Sequence, residues 1–222
     1  MSFRRILYPD KYARGDSLTK DLAAIGFLFR TQSTHGPNIE DTLVAASIEG
    51  VDGEYRVLSM LVDWLDIHLF NVNADRLIKL VLKLKGSKEK HFWCAMAQRK
   101  SADTRFKKLS ALYSSRMDLF ETGTPFQIER KGEDPRFAGT VLRIPDQSLR
   151  QRQSDILSPE KLAKIHSAYR SRILMGPTYR ADMWALLEDA KANLSPSEIA
   201  RRAYGSFPTA LKVKRDWSIL NT

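Results

Sequence analysis

Asp63-Trp64-Leu65-Asp66-Ile67-His68 places two carboxylates three residues apart, with a histidine beside them. On a helix that spacing sets both acids one turn apart, where they could hold a divalent cation or run acid–base chemistry. His91 and Cys94, also three apart, form a second ligand pair. Structural zinc prefers four ligands with a second close pair, and the other histidines, His35, His68 and His166, are scattered. Glu133 and Asp134 share the loop RKGEDPRFAG with Arg136, but no nucleophile–base set accompanies them. The phosphate-cradling P-loop, GxGxxG and GxSxG motifs are missing. The helix of Asp63 and Asp66 is the most apolar in the chain, so both acids are better read as partners for a neighbouring Lys or Arg. The expectation is a non-enzymatic protein with no metal and no cofactor.

A different chemistry lies in LSPSEIARRAYGSFPTALKVKRDW, residues 194–217. Ser195-Pro196-Ser197-Glu198 reads as a capping box with Pro at the first helical position. Ile199, Ala200 and Ala203 form a narrow inner face. Gly205 falls where a tight turn needs a positive φ. Ser206 caps a second helix, Pro208 fits its first turn, and Ala210, Val213 and Trp217 give it a buried stripe.

With a small residue in mid-helix, a turn glycine and the opening Ser206-Phe207-Pro208-Thr209-Ala210, this segment resembles the helix-turn-helix family. The resemblance implies a second helix in the DNA major groove, N-terminal residues toward base edges. Thr209, Lys212 and Arg215 would face bases, with Ser206 at the tip. Arg201, Arg202 and Lys214 would hold phosphates, which set affinity and register without reading sequence. The bland alternative is a helical hairpin with a solvated basic face. More loosely, the whole chain is similar to bacterial abortive-infection antitoxins of the AbiE type, encoded beside nucleotidyltransferase toxins. Those pair a helix-turn-helix with a second domain and repress their own operon. Their commonest arrangement puts the DNA-binding module first, and here it is last. The resemblance therefore implies a regulator or antitoxin and no further residue role.

The net charge of +10 and pI near 9.7 favour nucleic acid or an acidic protein partner, such as a toxin. The charge is uneven. Residues 76–116 hold twelve Lys/Arg against only Glu89 and Asp103, an excess equal to that of the whole chain. Phe92, Trp93 and Phe106 lie among these cations, a mixture that suits single-stranded nucleic acid. Phe92 and Trp93 also stand where a helix needs core residues, so the segment reads as a basic docking surface or a solvated face. Cys94 is the single cysteine, which excludes an internal disulfide and points to a reducing compartment, the cytoplasm. MSFRRILYPDKY lacks the apolar region of a secretory signal. No apolar run approaches the roughly 18 residues that span a bilayer, so no membrane partner is expected. The expected partner is double-stranded DNA, met by a homodimer on a two-fold site.

Apolar spacing of three and four residues predicts helices over 17–32, 40–51, 55–70, 74–85, 88–100 and 105–113. Short linkers such as STHGPN pack neighbours antiparallel. The fold class is mainly α. Residues 1–116 form an irregular helical bundle with a basic face, and 117–157 a connector with a β-hairpin made from Phe126–Ile128 and Thr140–Ile144. Residues 158–222 form a helical domain ending in the helix-turn-helix. Ser158 and Pro159 open its first helix, which runs to Gly176-Pro177.

Overall fold

A computed structural model describes residues 6–31, 36–190 and 193–221. Gln32 and His35, with part of the STHGPN linker, lie outside them. The molecule is mainly α, as the apolar periodicity predicts. The N-terminal helices are α1 (Gly15–Ala24), α2 (Ile39–Val51), α3 (Tyr55–His68), α4 (Ala74–Lys83), α5 (Ser87–Arg99) and α6 (Lys107–Ser110). After them come α7 (Thr124–Lys131), α8 (Pro159–Ile165), α9 (Ser167–Met175), α10 (Tyr179–Asp189), α11 (Pro196–Arg202) and α12 (Phe207–Leu220).

Helix α2 is the hub of the N-terminal bundle, packing on α1, α3, α4 and α5. It is buried nearly all round, with Glu40, Thr42 and Ser47 enclosed among its apolar residues. Two buried tryptophans pin its neighbours. Trp64 Nε1 donates to the Ile25 carbonyl at 2.8 Å, and Trp93 Nε1 donates to Ser47 Oγ on α2 at 2.9 Å. Helix α1 ends earlier than its apolar spacing predicts, because Gly26 takes φ +99°. Phe27 then leaves the helix to bridge Ile156.

The connector departs from the expected hairpin. Gly123 adopts a left-handed φ of 80°, and Pro125 sits in the first turn of α7, so Phe126-Gln127-Ile128 is helical. Pro with its fixed φ is pre-organised for that position. The strands are β1 (Met117–Asp118) and β2 (Leu142–Arg143), which pair in parallel. A parallel pair needs a crossover instead of a tight turn, and α7 lies in that crossover. The Arg143 guanidinium clasps Asp118 across the pair at 2.6 and 2.9 Å.

The helix expected from Ser158 to Gly176 is broken at His166, which separates α8 from α9. His166 Nδ1 accepts the Tyr169 amide at 3.1 Å and so caps α9. The expected Ser158 cap bonds no backbone amide at the start of α8; its hydroxyl bonds the Glu160 side chain instead.

The apolar interior falls into two clusters. The large one runs from Leu18 to Leu162 and Tyr169, so α8 and α9 pack with the N-terminal helices. The small one joins Met183, Leu187, Leu194, Ile199, Ala200, Ala203, Ala210 and Val213 of the last three helices. A buried ion network bridges the two. Arg172 on α9 donates to both Glu40 oxygens on α2 at 2.7 and 2.9 Å, and to both Asp182 oxygens on α10 at 2.7 and 2.9 Å. Burial opposes the charge of Arg172, but Asp182 and Glu40 outweigh it and hold the proton more firmly than in water.

Candidate nucleic-acid interface

Helices α10, α11 and α12 enclose a core of their own, and caps fix where each begins. Thr178 Oγ1 accepts the Ala181 amide at 3.4 Å. Ser195 Oγ accepts the Glu198 amide at 3.2 Å. Ser206 Oγ accepts the Thr209 amide at 3.3 Å. The return half of the expected capping box is replaced, because the Glu198 carboxylate pairs with Arg202 one turn on.

The turn between α11 and α12 is a Schellman closure. The Gly205 amide donates to the Ala200 carbonyl at 2.9 Å and the Tyr204 amide to the Arg201 carbonyl at 3.3 Å. That motif needs one left-handed residue after the helix. The residue is Tyr204, with φ 56°, and not Gly205, where sequence placed the positive φ. Gly205 instead leaves room for α10: a Cβ there would meet the Met183 terminal methyl at 2.0 Å, so that buried side chain would have to move.

Tyr204 docks the turn onto the N-terminal helices. Its ring lies over the Arg76 guanidinium, and its hydroxyl is hydrogen-bonded to Asp41. Burial, then the Asp41 charge, holds the phenol proton well above its ordinary range. Arg76 also pairs with Asp41 and donates to Asn38 Oδ1 at 3.0 Å and the Leu7 carbonyl at 3.2 Å.

The sequence-predicted contact residues have distinct fates. Lys212 and Arg215 lie exposed on the outer face of α12, and Arg201 is exposed on α11. Among the described residues none of these three has an ion-pair partner. Arg202 is held by Glu198. Lys214 turns inward, its Nζ donating to the Leu194 carbonyl at 2.7 Å, so it ties α12 to the loop before α11. Ser206 and Thr209 hydroxyls bond each other at 2.7 Å. Both line a pocket of about 310 Å³ shared with Asp75, Tyr179 and Arg180. The tip of α12 thus faces the start of α4, and its middle faces solvent.

Much of the basic segment is engaged within the molecule. Arg76, Lys79, Lys88, Arg99, Lys100, Arg105 and Arg116 all pair with carboxylates. Arg105 also donates to the carbonyls of Leu69, Phe70 and Val72 at 3.1–3.3 Å, closing the end of α3. Phe92, Trp93 and Phe106 are buried, so they offer no stacking platform.

The other chemical candidates are also accounted for. Asp66 binds Arg99 at 2.6 Å and Lys100 at 2.7 Å. Asp63 is buried, accepts the Arg152 amide and lies 3.6 Å from Arg136. Arg136 clasps Asp134 at 2.7 Å, and Glu133 pairs with Arg116. His91 stacks on Tyr113 and bonds the Ser87 carbonyl at 2.8 Å, while Cys94 is buried. Among the described residues no group of three or more His, Cys, Asp or Glu side chains is placed to hold a metal ion. Among them, too, no helix is long and apolar enough to cross a membrane.

No family model, curated protein or solved structure matches the chain.

Sequence reasoning missed Tyr204 and Arg76 as partners, since they stand 128 positions apart in the chain. It also missed the inward turn of Lys214. The stripe Ala210, Val213, Trp217 carries that signal, because Lys214 follows Val213 and borders the buried face.

Proposed function

We propose that this protein binds duplex DNA through α12 and acts as a transcription regulator. The observation that carries the reading is the outer face of α12. Lys212 and Arg215, three residues apart, project from a helix braced on its own three-helix core. A basic helix held at a fixed angle by two others is the geometry that enters a major groove. Arg215 is the better base reader, because its guanidinium forks onto one guanine. Arg201 supplies phosphate contact. With Ser206 and Thr209 turned toward Asp75, base contact moves from the tip of α12 to its middle. The antitoxin role extends the same reading: the N-terminal helices would take an acidic toxin while α12 holds DNA.

A second reading, a non-enzymatic helical module for an acidic partner, has its own observation. Leu211, Ile219 and Leu220 are exposed on α12 beside its cations. Such a mixed apolar and basic face also suits a protein surface.

Fluorescence anisotropy with a duplex from the protein's own upstream region, beside a scrambled duplex at low and moderate salt, separates the two. The DNA reading expects a preference for the native duplex that survives added salt. Equal binding that vanishes with salt is counterion release from a basic surface and removes that reading.

A further inference from the structure

An open cleft of about 720 Å³ is lined by residues of α8, α9, α10 and α11. Three cations on three different helices line it: Lys164 on α8, Arg170 on α9 and Arg202 on α11. Lys164 has no ion-pair partner among the described residues. Arg170 pairs with Glu188 at 3.1 Å and Arg202 with Glu198, all four side chains a third or more exposed or nearly so. Ion pairs that wet are worth at most about 1 kcal/mol, so a polyanion can displace them.

One carboxylate lines the cleft directly, in addition to the Glu188 and Glu198 partners of its two arginines. Asp189 accepts the Ser167 hydroxyl at 2.6 Å. A carboxylate accepts more than one donor, and it repels a bare phosphate. It therefore favours a ligand that carries hydroxyl donors beside its negative charge. Leu186 and Ile165, the latter 62% exposed, supply an apolar wall. Beneath, a chamber of about 70 Å³ reaches His166 and the buried Arg172–Asp182 pair.

Cations on three helices, a carboxylate acceptor and an apolar wall make one chemical description. We propose that this cleft binds a nucleoside polyphosphate: the phosphates on Lys164, Arg170 and Arg202, the ribose hydroxyls on Asp189, and the base against Ile165 and Leu186. The walls come from helices that contribute to both apolar clusters, so the ligand spans the junction that the Arg172 network bridges. The proposal does not depend on DNA binding.

The test is calorimetric titration of the full chain, without divalent cations, using ATP, inorganic tripolyphosphate and adenosine. ATP is expected to bind more tightly than tripolyphosphate, and adenosine not at all. Lys164→Gln with Arg170→Gln should weaken ATP at least tenfold while leaving the melting curve of the ligand-free protein in place. Asp189→Asn should weaken ATP but leave tripolyphosphate unchanged or tighter. Absence of ATP binding overturns the proposal. So does ATP binding that ignores both variants and is lost on Lys212→Ala with Arg215→Ala, which would locate the anion on α12.

Discussion

The ring of Tyr204 lies against the Arg76 guanidinium, whose central carbon is 3.5 Å from the ring centroid. Tyr204 holds a left-handed backbone at the turn before α12, and Arg76 belongs to α4. A non-glycine residue in that conformation costs about 1–2 kcal/mol, and it persists where surrounding contacts over-determine it. Here the contacts are a desolvated cation–π stack and the Asp41 hydrogen bond.

Tyr204→Phe should therefore cost about 1 kcal/mol, by loss of one hydrogen bond. Tyr204→Ala should cost about 2 kcal/mol or more, because the stack goes as well. Urea unfolding measures both. Equal losses would mean that the ring contributes nothing beyond its hydroxyl.

Arg172 is a sharper case. Its truncation to Met leaves Glu40 and Asp182 buried without their cation, a change that costs about 3–5 kcal/mol. Adding Glu40→Gln and Asp182→Asn to Arg172→Met should recover part of that loss. A triple variant no more stable than the single one would show that hydrogen-bond geometry, not unpaired charge, sets the cost.

Stability should also fall on acidification. Burial lowers His68 to about 4, and burial with the nearby Arg172 charge lowers His166 to about 4. Neutral His68 donates from Nε2 to the Leu157 carbonyl at 3.0 Å and accepts Tyr169 Oη at 2.7 Å on Nδ1. The folded values lie below the unfolded one of about 6.5. Their contribution is complete above that pH and is lost as pH falls from there toward 4, at about 1 kcal/mol per group for each pH unit. Burial shifts Asp41 and Asp63 upward, which works in the opposite sense near pH 4. His166→Asn keeps a capping acceptor for α9 and isolates one histidine. Melting temperatures from pH 7 to 5 should fall less steeply in that variant than in the native chain, and parallel curves would refute the assignment.

On DNA, Arg215→Ala should weaken preference for the native duplex by about 1–3 kcal/mol, and Arg201→Ala should weaken all duplexes alike and reduce the salt slope by about one. Lys214→Ala should act on folding instead, because its Nζ holds the Leu194 carbonyl. Anisotropy and thermal melting on the three variants read these outcomes. Equal loss for Arg215→Ala and Arg201→Ala on matched and scrambled duplexes removes the division of labour.

Local rules carried far in this chain. Apolar spacing predicts the helical class, and Ser195, Pro196, Ser206 and Pro208 mark where α11 and α12 begin, because capping depends on residues within one turn. Inner faces were legible too, since Ala200, Ala203, Ala210 and Val213 follow the helical period and are buried. Tertiary packing decided the rest. Phe126-Gln127-Ile128 carries strand-forming residues, yet Gly123 and Pro125 start a helix, and the strands pair across it. Gly205 looks like a conformational residue, yet its φ is ordinary and the space beside it is filled by Met183, a contact between helices that no local window contains. Which cations face solvent was decided in the same way. Charge can be counted in sequence, but Arg76, Arg99 and Arg172 meet their carboxylates only when distant helices pack, and that leaves Arg201, Lys212 and Arg215 exposed.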